Sequence, residues 1–468
     1  MALATKESAE TAKPRWAGVV RPWQTNIALA LRGVGMLLLA RQLVSEYGHY
    51  TIGFSGVSGW GAMLYIVACC LILTQPVDRW TLPIILAVAV VCRLAPLFAA
   101  PFLSSDIYRY AWDGVVQHAH ISPYRYVPGD PALSFLRAPN QDLFDHINRR
   151  DYAHTIYPPV AQMIFYVVTW ISPTVTFMKM AMVAFEAVTV AALIALLRAL
   201  GRRQEQVLLY AWCPLLVWEI AGSGHLDSAA MAFIALALVA RFRRQAWLTG
   251  LWLGIAVMIK FYPLVLLPAL WWRGDGRGSA WKMPAAVAGV VAFGYACYAS
   301  VGMKVFGFLG GYAKEEGLET GARYFLLDWA RRVPGLQGLP IWVFYGFCAA
   351  VFAGLTWWAW RVGCQPDSAR VGFLAPAAGL AMALMLLFSP HYAWYVIWLV
   401  PLLAVQPNLP MVAYLMGFFY GYTTALADPG PKMFLLNEYL YGAVALSFVA
   451  WVAMRRWPVH RRFLVQSS

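Results

Sequence analysis

Charge is scarce in these 468 residues: Asp, Glu, Lys and Arg together make up 12% of the chain. Soluble domains carry about 25% charged and about 45–50% apolar residues. A water-soluble body of this size could not hide the apolar remainder, which excludes a cytosolic enzyme and a disordered chain. Cysteine is also sparse, with seven residues and no CxxC pairing. Cys69, Cys70, Cys92, Cys213, Cys297 and Cys348 fall in apolar stretches, with Cys364 beyond them, so neither a secreted disulfide scaffold nor a structural zinc site is readable. Acidic residues are the minority, 22 against 36 basic, for a net charge of +14. No basic tract is interleaved with exposed aromatics, so the excess does not point to nucleic acid. The first 22 residues lack an apolar core directly after their charges, and no cleavable signal peptide is expected.

What the chain has is apolar length: 61% of it is hydrophobic. A spanning helix needs about 20 mostly apolar residues. Stretches near that length lie at 24–45, 57–75, 81–100, 174–199, 206–221, 228–241, 245–259, 261–273, 283–302, 340–361, 371–388, 392–406, 411–427 and 435–454. The expectation is an all-α polytopic membrane protein of about 14 transmembrane helices. With a cytoplasmic N-terminus, the inner segments collect Lys6, Lys13, Arg15, Arg21, Arg79, Arg198, Arg202, Arg203, Arg241, Arg243, Arg244, Arg273, Arg277, Lys282, Arg361, Arg370, Arg455, Arg456, Arg461 and Arg462. The short outer turns at 46–56, 222–227 and 389–391 hold none, which is the positive-inside pattern. Both termini are then cytoplasmic. Tyr157–Ser172 would invert that pattern if it crossed, and it reads as an interfacial or re-entrant helix.

Two long loops face outward, 101–156 and 303–339, and long loops on a rigid scaffold are where function gathers. The chain divides into 1–100 (three spans), 101–173 (first loop), 174–302 (six spans), 303–339 (second loop) and 340–468 (five spans and a basic tail). The first loop opens SSDIYRYAWDG and ends YAHTIYPP. Asp106, Arg109, Tyr110 and Asp113 are spaced i, i+3, i+4 and i+7, so a helix there puts two carboxylates, a guanidinium and a phenol on one face. Helix capping and surface pairing explain the same spacing. An acid directly after a span is costly unless it is paired or faces a polar cavity.

The run SDIYRYAWDG, with ISPYRY, the YPP segment, GHLD, KFYPLVLLP and SPHYAWYVIWLVP, resembles the membrane-embedded GT-C glycosyltransferases over about residues 100–410. The similarity is greatest to glycosyltransferase family 87 and the polyprenyl-phosphate-mannose-dependent mannosyltransferases. It implies a GT-C-like bundle with short interfacial helices on its outer loops, and a catalytic base early in the first loop. That role falls on Asp106, with Asp113 second. Two additional spans precede the usual first one, so the role of 1–80 does not follow from the resemblance.

Further polar groups gather at the same face. Asp227 caps the helix after the GSGH turn or, with His225, binds substrate. Lys260, at the KFYP break, is a snorkelling lysine or a phosphate-binding point charge. Arg323 meets lipid headgroups or closes over a donor phosphate; His391 binds phosphate or sugar; Trp394 and Tyr395 read as membrane-belt residues. Glu186, Arg32 and Arg41 lie inside spans and require buried partners. The resulting expectation is an inverting hexosyltransferase of a bacterial inner membrane. It moves a hexose, mannose first among candidates, from a polyprenyl phosphate to a glycan or lipid acceptor, with no metal and no cofactor. The alternative is a transporter or lipid flippase, which would place its ionisable groups near the bilayer midplane rather than at one surface.

Overall fold

The computed structural model describes residues 20–45, 52–101, 103–271, 280–363, 371–420 and 431–456, and over these residues it is helical, with no strand. The N-terminal segment, Lys6, Lys13, Arg15, Arg273, Arg277, Cys364, Arg370, Arg461, Arg462 and the end of the 411–427 stretch lie outside the described residues. Among the described residues six helices are long and apolar enough to cross a bilayer: Pro22–Val44, Gly56–Thr74, Thr81–Phe98, Val175–Ala199, Ile341–Gly363 and Met433–Arg455. A seventh candidate is the pair Lys282–Cys297 and Ala299–Glu315, bent by 111° at its break.

The expectation of about 14 spans is therefore not met by helix length. Each apolar stretch is helical in its described part, but several are short or broken. Residues 206–221 divide into Gln204–Val207, Leu208–Ala211, Pro214–Leu216 and a π-helical turn, Val217–Gly222. Residues 392–406 divide into Ala393–Tyr395, Ile397–Leu399 and Val400–Val405. Both stretches are buried almost throughout. Their apolar side chains face protein, and irregular backbone at such depth is tolerated where protein surrounds it.

Polar side chains fasten this core. The Glu186 carboxylate accepts two hydrogen bonds of 2.8 Å from Arg93, whose Nη1 also donates to the Ala89 and Ala211 carbonyls. Arg93 is thus the partner that Glu186 requires. Arg32 donates to the Ala28 carbonyl of its own helix. Lys179 lies buried near the start of Val175–Ala199, and its Nζ donates to the Pro96 carbonyl at 2.8 Å and to Ala99 at 2.6 Å. Terminal carbonyls of a helix have no partner within the helix. Lys179 supplies one, and so fixes where the chain leaves Thr81–Phe98 for the first long loop.

That loop begins with helix Asp106–His118. The Ser104 hydroxyl accepts from the Asp106 N–H at 3.2 Å, and the acidic first residue suits the positive end of the helix. The helix packs against Pro159–Ile171, the short helix expected at the interface. Contact is close because residue 114 is glycine: a Cβ there would stand 2.7 Å from the Phe165 carbonyl oxygen and 2.2 Å from Thr169 Oγ1. The second loop folds as Ala299–Phe306, Leu309–Glu315 and Phe325–Arg331. It docks on the first through an Arg149–Glu315 ion pair of 2.7 Å and a Tyr152–Glu315 hydrogen bond of 3.1 Å.

Candidate active site

Between the two loops and the ends of the helices beneath them lies a cavity of about 1200 Å³. Asp106, Arg109, Lys260 and Arg323 line it together, although they come from three separate parts of the sequence. Asp113, Tyr110, His225, Asp227 and His391 are not among its lining residues. The face predicted from the spacing of Asp106, Arg109, Tyr110 and Asp113 is thus divided between the cavity and the protein interior.

Asp106 is half-buried, and Asn148 Nδ2 donates to its Oδ1 at 3.3 Å. Among the described residues no cation pairs with it. Asp113, by contrast, is fully engaged. Its Oδ1 accepts from Arg109 Nε at 2.7 Å and its Oδ2 from Gln162 Nε2 at 2.9 Å. Arg109 also donates through Nη1 to the Ala153 carbonyl at 3.1 Å, while its buried Nη2 has no partner. Asp113 and Ala153 therefore hold the guanidinium of this cavity-lining residue in place.

Lys260 repeats the design. It follows the end of Ala246–Val257, where Tyr262-Pro263 starts a 3₁₀ turn. Its Nζ donates to Asp227 Oδ2 at 2.6 Å, and the Tyr262 hydroxyl donates to Oδ1 at 3.1 Å. Asp227 itself is completely buried. Arg323 is ion-paired with Glu316. Arg109, Lys260 and Arg323 thus meet the cavity, each steadied by a carboxylate, as does Arg149 with Glu315. Lys260 Nζ stands 5.4 Å and the Arg323 guanidinium carbon 5.8 Å from the centre of the Tyr395 ring. Both separations lie within the range of cation–π attraction.

The reading of Trp394 and Tyr395 as belt residues is corrected here: both line the cavity, as does Tyr392. The Tyr395 and Tyr312 hydroxyls are hydrogen-bonded, which ties the second loop to the SPHYAW segment. His225 is buried, with Nε2 3.2 Å from Glu219, and its ring stacks on Trp394 at 4.5 Å. His391 adjoins Arg323; burial, reinforced by that charge, lowers its pKa to about 4. His154 lines the cavity, and burial followed by the charges of Lys304 and Arg109 lowers its pKa too. Both rings are thereby biased towards the neutral form. Tyr110 is buried, stacked on Phe165 at 4.7 Å and edge-on to Tyr157 at 4.9 Å.

Asn148, Gln162, Tyr262 and the cavity role of the SPHYAW aromatics were not read from the sequence. Neutral amides and aromatics carry no charge pattern, and only packing reveals them. Among the described residues no three His, Cys, Asp or Glu side chains converge as metal ligands do.

Apolar side chains complete the wall, including Phe98, Phe261, Leu384 and Phe388. A poised carboxylate beside fixed cations, within reach of an apolar wall, suits transfer chemistry on an amphiphile bearing an anionic group. No curated protein and no solved structure matches the chain. A family model does match, over residues 15–274, more than half of the length: alpha-(1->6)-mannopyranosyltransferase, N-terminal domain. The chain belongs to this MptA_B family of mannosyltransferases.

Proposed function

We propose that this membrane protein transfers a mannosyl group from a polyprenyl-phosphate donor to an acceptor hydroxyl, with inversion, at the outer face of a bacterial inner membrane. One observation carries the reading: the Asp106 carboxylate, which no cation pairs among the described residues, shares a cavity with Arg109, Lys260 and Arg323, and the countercharges of the first two, Asp113 and Asp227, stand off its lining.

A sugar hydroxyl is a weak nucleophile, and a carboxylate within hydrogen-bond reach takes its proton as it attacks. Asp106 is that base, and Asn148 keeps it oriented. Asp113 acts behind it, since both of its oxygens are committed to Arg109 and Gln162. As the C1–O bond breaks, negative charge grows on the departing phosphate. Lys260 and Arg323 are the fixed charges that receive it. Arg109, held by Asp113, adds fixed positive charge to the same wall. Asp227 positions Lys260; His225 and Tyr110 support the walls, and His391 acts as a neutral neighbour of Arg323. Asp106 acting as a single base implies inversion, and an α product then requires a β-linked mannosyl phosphate. The isoprenoid tail leaves past Phe98 or past Phe261, Leu384 and Phe388. The outer placement rests on the positive-inside asymmetry of the turns.

Membranes carrying the wild type transfer label from radiolabelled polyprenyl-phosphate mannose, and membranes carrying Asp106→Asn do not. Equal transfer by the two, at equal protein level, would overturn the base assignment. A transporter or flippase leaves unexplained why the charges gather with the loops.

A further inference from the structure

The cavity wall near the phosphate-binding cations carries a stack of aromatic rings. His225 and Trp394 lie 4.5 Å apart at 18°, and Trp394 and Tyr392 lie 4.4 Å apart at 7°. Two near-parallel rings so close to one indole need opposite faces of it, because on the same face they would overlap. Trp394 is therefore sandwiched, and the stack runs His225, Trp394, Tyr392. Its inner end is anchored: His225 is buried beside Glu219. Its outer end is Tyr392, which is half-buried, lines the cavity and has one face covered by Trp394.

We infer that the free face of Tyr392 is a platform for the pyranose ring of the donor, an inference that rests on the function proposed above. An aromatic face is electron-rich and attracts the weakly positive C–H groups of a ring laid upon it. In mannopyranose the axial C3–H and C5–H point to one face of the ring, which gives such a surface a partner. An inverting acceptor approaches C1 from that same face, so the platform sits beneath C3 and C5 and the space beneath C1 is left to the acceptor. Position agrees as well. The Tyr392 ring centre is 6.3 Å from that of Tyr395, which has Lys260 and Arg323 beside it. That is the scale of a glycosyl phosphate, whose phosphorus sits two bonds from the sugar ring. The stack is also stiff, so the platform costs little ordering when sugar arrives.

The test is binding of β-D-mannopyranosyl phosphate and of inorganic phosphate to the full chain in nanodiscs, followed by NMR. Saturation transferred to the sugar phosphate is expected to be strongest at H3 and H5. Tyr392→Leu keeps an apolar contact on Trp394 but removes the flat ring. It is expected to weaken the sugar phosphate roughly three- to tenfold and to leave inorganic phosphate unchanged. Tyr392→Phe is expected to bind both ligands as the wild type does. Sugar-phosphate affinity unchanged in Tyr392→Leu would overturn the platform. So would an equal loss of both ligands, or a loss in Tyr392→Phe matching that in Tyr392→Leu. Lys260→Met reports separately on the phosphate site and is expected to weaken both ligands. If it weakens neither, the donor-phosphate reading fails, while the Tyr392 comparison still decides the platform.

Discussion

Asp227 and Lys260 are 33 residues apart in sequence, yet the carboxylate of one accepts a 2.6 Å hydrogen bond from the ammonium of the other. The buried acid is linked to the cavity lining through this lysine and Tyr262. Asp227→Asn should loosen the ammonium without removing it. A charge-assisted hydrogen bond is worth about 1.5–3 kcal/mol, so the donor KM is expected to rise about tenfold, with a smaller change in kcat. Lys260→Met should lower kcat/KM further. Steady-state kinetics on both variants check the order, and an Asp227→Asn defect exceeding that of Lys260→Met would contradict it.

The two carboxylates of the loop helix should separate cleanly. General-base catalysis contributes about 10²–10⁴ in rate, so Asp106→Asn is expected to lose transfer on that scale while melting near the wild-type temperature. Asp113→Ala strands the Arg109 guanidinium, and breaking a buried pair costs about 3–5 kcal/mol. Its first effect should be a lower melting temperature in detergent, seen by thermal-shift measurement.

His391 predicts the direction of an acid effect. Burial and Arg323 lower its folded pKa to about 4, below the ordinary imidazole value of about 6.5. Between those values the unfolded chain binds more protons than the folded one, so this group makes stability rise with pH across that window and flatten above it. His391→Gln should shallow the acid side of the melting-temperature profile. An unchanged slope between pH 4 and 6.5 would remove His391 as a contributor.

Gly307 has φ +54°, and a Cβ there would lie 1.7 Å from the Thr155 carbonyl oxygen. Gly307→Ala therefore cannot keep the seam between the two loops. The expected result is faster proteolysis within 303–339 and a several-fold drop in transfer. Gly310→Ala, where a Cβ meets nothing within 4 Å, is the matched control.

Orientation can be read with thiol labels in a background where the native cysteines are replaced. Gln337 and Gln245 are both exposed, in the second loop and in the turn before Ala246–Val257. Cysteine at 337 should react with an impermeant maleimide in intact cells, and cysteine at 245 only after permeabilisation. The opposite result would invert the chain and move the cavity to the cytoplasmic side.

The helical face of Asp106, Arg109 and Asp113 was legible because residues three, four and seven apart meet on any α-helix. The carboxylate behind Lys260 and the Arg93–Glu186 pair were not, since each joins helices whose packing no local spacing encodes. The span count is not met by helix length for a related reason. The stretches at 206–221 and 392–406 are as apolar as lipid-facing helices, and composition alone does not separate a protein interior from a bilayer. Trp394 and Tyr395 were misread on the same ground, because a ring beside a turn suits either a headgroup layer or a cavity wall.

Lys179 grips the carbonyls of Pro96 and Ala99 from a helix made some eighty residues later in the chain. The entrance to the Asp106 loop thus awaits a part of the polypeptide that the ribosome has yet to deliver. During synthesis this fastening of the loop waits for the following span, which arrives to close the clasp.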